Sequence, residues 1–209
     1  MSIRQASDQS AAARWIPAYA LSGNPGNFAT NRSYSVGATY ANGPWHFGAA
    51  YVMLDHPATD TTGAIPSDNY FTFLKGISRQ RIYGAGGLYD IGNASIGLMY
   101  TNTRFELTPS SQYQTYQNAE ASLRYRITPA LHAAVGETYT NVSTNGKVDS
   151  WHYWQTTAGL QYFLSKSTDV YLDMLYQRAT NAVAQIEGAS GPSSSHTQFI
   201  AVTGIRHKF

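Results

Sequence analysis

The chain has 209 residues, 43% of them hydrophobic but only 12% charged, about half the charged share of a soluble domain. Mean hydropathy is nonetheless −0.32, because Tyr (16) and Gly (18), together with Ser, Thr, Asn and Gln, take the place of charge; no run reaches the roughly 18 apolar residues that a membrane helix needs. A net charge of +2 without a basic run argues against nucleic acid, and the lack of cysteine excludes disulfides and thiolate chemistry.

Residues 1–12 are polar and aperiodic and hold no apolar stretch of the secretory-signal kind. They read as a disordered or foreign leader ahead of one domain over 13–209. From Ala13 onward, segments of roughly ten residues alternate apolar and polar, joined by connections that are short and long in turn, the pattern of an antiparallel transmembrane β-barrel. Arg14–Leu21 is a weak first strand, because Pro17 removes a ladder donor. Tyr34, Val36, Ala38 and Tyr40 form one face of the next, against Ser33, Ser35, Gly37 and Thr39. The turn Asn42-Gly43-Pro44 is a strong hairpin signal; it leads to Trp45, Phe47, Ala49, Tyr51 and Met53, opposite His46, Gly48 and Ala50. A polar loop over about 54–67 and an ambiguous segment to Gly76 follow.

Ile82, Gly84, Gly86 and Leu88 then read as an outward set, with Arg79, Arg81, Tyr83 and Ala85 inward. Past Asp90-Ile91-Gly92-Asn93, Ile96, Leu98 and Tyr100 oppose Ser95, Gly97 and Thr101. In the second half, Ala119, Ala121, Leu123 and Tyr125 oppose Asn118, Glu120, Ser122, Arg124 and Arg126. Leu131, Ala133, Val135 and Tyr139 follow the turn at 127–129, opposite His132, Gly136, Thr138 and Thr140. A loop over about 142–151 precedes Trp154, Ala158, Leu160 and Tyr162; the turn at 164–168 precedes Val170, Leu172, Met174 and Tyr176, opposite Asp169, Tyr171, Asp173 and Gln177. A Gly/Ser-rich loop (about 180–195) leads to the last strand, from about Thr197 to Phe209, the tenth in all.

Two features favour lipid over a soluble sandwich core. The apolar face is thin and Ala-rich, whereas a sandwich buries bulky Leu, Ile and Phe. Its aromatics also gather at strand ends. Tyr34, Tyr40, Trp45, Tyr51, Tyr100, Tyr125, Trp154, Tyr162 and Tyr176 are the expected membrane girdle. From Trp154 to Tyr162, at ~3.3 Å per residue and a ~40° tilt, is roughly 20 Å, close to the ~25 Å apolar band of such barrels.

The chain ends Thr203-Gly204-Ile205-Arg206-His207-Lys208-Phe209, with Phe209, His207, Ile205, Thr203, Ala201 and Phe199 on one face. Here it resembles the general diffusion porins of Gram-negative bacteria, of the betaproteobacterial type in particular. The stretches Asn31-Arg32-Ser33-Tyr34-Ser35-Val36-Gly37-Ala38-Thr39-Tyr40-Ala41-Asn42-Gly43-Pro44 and Leu123-Arg124-Tyr125-Arg126 carry the same likeness, which runs from about Trp15 to Phe209. The resemblance implies an outer-membrane, trimeric, water-filled channel for small hydrophilic solutes and ions, without enzymatic activity or cofactor. It implies that Phe209, His207 and Ile205 lie in the signal read by the barrel-assembly machinery. Against the family's pattern of about sixteen strands, these ten correspond to the C-terminal portion. The inward-folded third loop that narrows the family's pore lies outside them, and the resemblance implies an incomplete or open barrel. A non-functional truncated fragment is the alternative expectation.

The residues themselves offer little chemistry beyond this. None of the six histidines forms an H-x-x-x-H or H-E-x-x-H pair, so no metal site is expected. Asp169 and Asp173 stand ~13 Å apart along one strand, too far for a catalytic carboxylate pair. Gly84-Ala85-Gly86-Gly87 lies within a strand and is no phosphate loop. An outer-membrane barrel hydrolase is a weaker alternative, since no nucleophile motif is present. No catalytic residue is assigned. By parity, Arg79, Arg81, Arg124, Arg126, Arg206 and Lys208 face Glu120, Asp169 and Asp173 across the expected lumen. Six basic against three acidic groups predict mild anion preference. Glu137 falls on the lipid face, which either a β-bulge or the end of the apolar band would explain.

Overall fold

The structure is a computed structural model; it describes residues 12–20, 32–57, 76–108, 111–145 and 147–208, with the backbone alone over 147–150. Among the described residues, ten strands make one sheet: β1 (Ala12–Ala20), β2 (Ser33–Asn42), β3 (Trp45–Asp55), β4 (Ile77–Ile91), β5 (Ala94–Leu107), β6 (Tyr113–Arg126), β7 (Leu131–Thr144), β8 (Lys147–Phe163), β9 (Thr168–Thr180) and β10 (Thr197–His207). Each strand pairs antiparallel with its sequence neighbours, and β1 and β10 are open edges. The expected architecture, ten strands in an unclosed sheet, is the one found.

Turn chemistry explains the hairpins at one end. Gly43 and Gly92 take φ of +55° and +59° as the first of two loop residues, a turn geometry whose twist matches the flanking strands and which glycine enters without strain. Thr128 Oγ1 accepts from the Leu131 amide at 2.9 Å, and Ser165 Oγ from the Thr168 amide at 3.0 Å, closing the next two turns. The opposite end differs from expectation. The loop expected over 142–151 is two residues, 145–146, between β7 and β8, with Asn145 at φ +52°. Asn145-Gly146 is the same hairpin signal as Asn42-Gly43. The expected leader at 1–12 and most of the 54–67 loop lie outside the described residues, as does Phe209; Ala12 already belongs to β1.

Cross-strand partners share a face, so the registers sort every side chain. One row runs Tyr40, Phe47, Gly87, Leu98, Ala121, Glu137, Thr156, Tyr176, Phe199. The face it defines, here called outward, carries Trp45, Leu98, Tyr125, Trp154, Tyr162 and Ile205, all well exposed, Leu98 at 64% and Ile205 at 68%. The inner face carries Gly37, Gly48, Gly84, Gly86, Gly97, Gly136, Gly159 and Gly204 among Ser, Thr, Gln and charged residues. A sheet that leaves its bulky apolar residues bare on one side loses the burial that stabilises a soluble domain. In the barrel expected from the sequence, lipid supplies that burial.

Candidate functional site

The inner face is the candidate site. On β6, Glu120, Arg124 and Arg126 point inward, opposite Met99, Ser95 and His132. Asp169 on β9 pairs with Arg206 on β10. The Arg206 guanidinium donates to both Asp169 oxygens at 3.0 Å, through Nε and Nη2, and Gln161 Nε2 donates at 2.8 Å. That bidentate pairing locks the edge strand to β9, and with Tyr171 and Asp173 it lines a concavity at the turn end. Lys208 follows on the same side, near enough to act on Asp169 electrostatically.

Arg79 and Arg81 do not join them. They pair with Asp55 and Met53 on β3 and with Glu106 and Arg104 on β5, which sets them on the outward face with Trp45, Tyr51 and Tyr100. The parity of β4 is the reverse of the sequence reading. Small Gly and Ala occupy both of its faces, so two arginines had fixed the parity, and these sit at the loop end. Two inward charges were missed instead: Arg14, opposite Thr39, and Asp90, opposite Ser95. The described inner face therefore holds Arg14, Arg124, Arg126, Arg206 and Lys208 against Asp90, Glu120, Asp169 and Asp173, a near balance in place of the six-to-three excess on which the expected mild anion preference rested.

The girdle residues Tyr34, Tyr40, Trp45, Tyr51, Tyr100, Tyr125, Trp154, Tyr162 and Tyr176 all fall on the outward face. Tyr83 and Tyr89 belong with them and were hidden by the reversed parity. Trp45 packs on Tyr89 at 4.3 Å and Tyr139 on Trp154 at 4.7 Å, between ring centroids, near opposite ends of the face. Ile205 and His207 are outward too, His207 Nδ1 lying 2.8 Å from Thr168 Oγ1. Glu137 stays outward with no bulge near it, and Thr156 Oγ1 donates to its carboxylate at 2.6 Å.

The connection between β9 and β10, residues 181–196, is more than the plain loop its Gly/Ser-rich sequence predicts and folds back over the inner face. The Gln185 and Ile186 amides donate to the side chains of Gln177 (2.7 Å) and Gln198 (2.6 Å), both inward-facing, and Gln198 Nε2 donates to the Gly191 carbonyl at 3.0 Å. Ala184 and Ile186, within this connection, are buried. The two glutamines at matched positions of adjacent strands were the available signal.

Among the described residues, the one His–carboxylate–hydroxyl grouping on the inner face is not assembled for acid–base chemistry. His46 Nε2 lies 3.4 Å from Asp90, but Ser95 donates its hydroxyl to Asp90 and not to His46, so the three form no nucleophile–base relay. Among the described residues no group of three or more His, Asp or Glu is placed to hold a metal.

Known proteins supply the remaining comparison. A sequence model described as Gram-negative porin matches residues 6–182. No curated protein matches the chain. Among solved structures, OmpT of Vibrio cholerae, outer-membrane expressed, is similar at 15% identity and a TM-score of 0.65, over 92% of this chain and 60% of that one. Its loop L8 deletion mutant is similar at 13% and 0.65, over 94% and 61%, and the in-vitro folded trimer form at 14% and 0.63, over 93% and 64%. The chain thus spans less than two thirds of these neighbours, which share its fold. With ten antiparallel strands, an apolar outward face and the family match, the chain belongs to the Gram-negative porins, β-barrel proteins of the outer membrane.

Proposed function

We propose that the inner face forms part of the wall of a water-filled channel through which small hydrophilic solutes and ions diffuse passively, without a chemical step. The opposition of the two faces carries this reading. Bulky aromatic and aliphatic side chains meet lipid, while glycine, hydroxyl, amide and balanced charged groups face the other way. Gly37, Gly48, Ala50, Gly84, Gly86 and Gly97, inward at mid-strand across β2 to β5, leave room on that side. Among the described residues, 181–196, held over the inner face by Gln177 and Gln198, are the element that narrows the passage. By family likeness the working unit is a homotrimer, and Ile205, His207 and Phe209 belong to the segment read by the barrel-assembly machinery.

The test is single-channel recording in planar bilayers from the full-length protein, meaning the closed barrel to which these ten strands belong. Ohmic steps that scale with bulk salt conductivity are expected. A protein that inserts, is heat-modifiable and yet passes no current would overturn the proposal.

A further inference from the structure

The outward face changes character at its loop end. There Arg32, Arg79, Arg81 and Arg104 surround only two carboxylates among the described residues. Arg32 reaches Asp55 at 3.7 Å and Arg79 reaches Asp55 at 3.8 Å and Glu106 at 3.6 Å; Arg104 reaches Glu106 at 3.7 Å, and Arg81 contacts it as well. His56 also lies 3.5 Å from Asp55. The arginine side chains are 39–41% exposed, while Asp55 and Glu106 lie beneath them at 11% and 23%. Four guanidinium charges over two carboxylates leave a net positive surface, and the Nε–H of all four finds no hydrogen-bond acceptor. Tyr113 backs the group, its ring centre 3.7 Å from the Arg104 guanidinium.

Height decides what this surface meets. Tyr89 packs against Trp45 at the turn end of the same face. Eight residues along β4 separate it from Arg81 and ten from Arg79, a rise of roughly 20 and 25 Å at ~3.3 Å per residue and a ~40° tilt. The apolar band of such barrels is ~25 Å tall. The arginines therefore stand at its upper rim, outside the channel, where lipid headgroups lie.

We propose that Arg32, Arg79, Arg81 and Arg104 form a binding site for phosphate groups on lipid headgroups of the loop-side leaflet. Guanidinium forks match phosphate oxygens in geometry and charge, and a headgroup phosphate supplies the negative charge that Asp55 and Glu106 leave uncompensated. The proposal rests on the outward placement of β4 and not on the channel reading.

Native mass spectrometry of the full-length protein tests it, with diphosphoryl lipid A, its dephosphorylated counterpart and inorganic phosphate as probes. Wild-type protein is expected to retain the diphosphoryl lipid and to lose the dephosphorylated one. R79Q/R81Q should cut retention at least tenfold, R79K/R81K should restore part of it, and channel conductance should not change. Should R79Q/R81Q fail to fold, R32Q, outside the strands, is expected to weaken retention alone. Equal retention of the two lipids, retention unchanged in the folded variants, loss of a subunit contact instead of lipid, or inorganic phosphate held as tightly as the lipid would each overturn the proposal. Absent conductance in wild type would count against the channel alone.

Discussion

An arginine on this sheet means different things according to face and height. Arg124 and Arg126 look inward from β6, whereas Arg79 and Arg81 look outward from β4, two strands away. Nothing in the residue type separates them; only the registers do. Neutralising Arg124 and Arg126 to Gln is expected to shift the reversal potential of the full-length channel in a salt gradient toward cation selectivity. The same change at Arg79 and Arg81 should leave that potential where it was. Glu137 is the mirror case, an acid between Ala121 and Thr156 in the same outward row as Leu98, Tyr176 and Phe199, with one hydrogen bond from Thr156. A carboxylate facing hydrocarbon is costly, so Glu137→Leu should stabilise the folded protein by about 1–2 kcal/mol, less than the cost of a basic residue at mid-bilayer. Denaturant titration in liposomes reads this, and a destabilised variant would assign Glu137 to a polar contact with another chain. The sequence pattern showed that Glu137 is outward but left its reason open; the β6–β7 and β7–β8 registers run without a shift through Glu137, the only irregularity lying at Val142/Thr144, which rules out a bulge at that position.

Among the elements, legibility followed the size of the alternating side chains. In β6 and β9 the bulky apolar residues Leu123, Tyr125, Leu172, Met174 and Tyr176 fall on one face and Glu120, Arg124, Arg126, Asp169 and Asp173 on the other, so parity could be read directly. In β4 the mid-strand sequence is Gly-Ala-Gly-Gly, and alternation had little to mark it. Gly87 and Gly204 show what such positions do here. A Cβ on Gly87 would meet the Phe47 ring at 2.8 Å, and one on Gly204 would meet Tyr171, so a neighbouring aromatic covers the bare backbone and fills the face. The fold of 181–196 was illegible for a different reason, since it depends on side-chain to backbone bonds between segments that no periodicity encodes. Deleting 183–194 is expected to raise single-channel conductance in planar bilayers, because more of the cross-section is open to ions. Q177A/Q198A should increase open-channel noise by releasing the same segment. Unchanged conductance on deletion would place the narrowest point elsewhere.

At the scale of the whole molecule, the edges dominate. β1 and β10 do not pair with each other, and a sheet crossing hydrocarbon must satisfy every backbone amide and carbonyl. Pro17 further deprives β1 of a donor. The sheet of residues 12–208, refolded by itself into liposomes, is therefore expected to give no stable conductance of porin size. Strand number, tilt and stagger are linked, so bending these ten strands into a smaller closed ring would require new registers. Stable steps from that fragment would show that it can.

The neighbour-only order of the sheet also governs how it comes apart under load. Since each strand is bonded only to those before and after it, pulling the C-terminal end with a cantilever loads β10 and β9 while leaving the rest of the ladder untouched. Extraction should proceed hairpin by hairpin, like a zip opened from one end. The β9–β10 unit, 168–207, should release a contour length of about 14 nm at ~3.5 Å per residue. The bidentate grip of Arg206 on Asp169 lies at the turn end of that unit, so R206Q is expected to lower the force of this first event and no other.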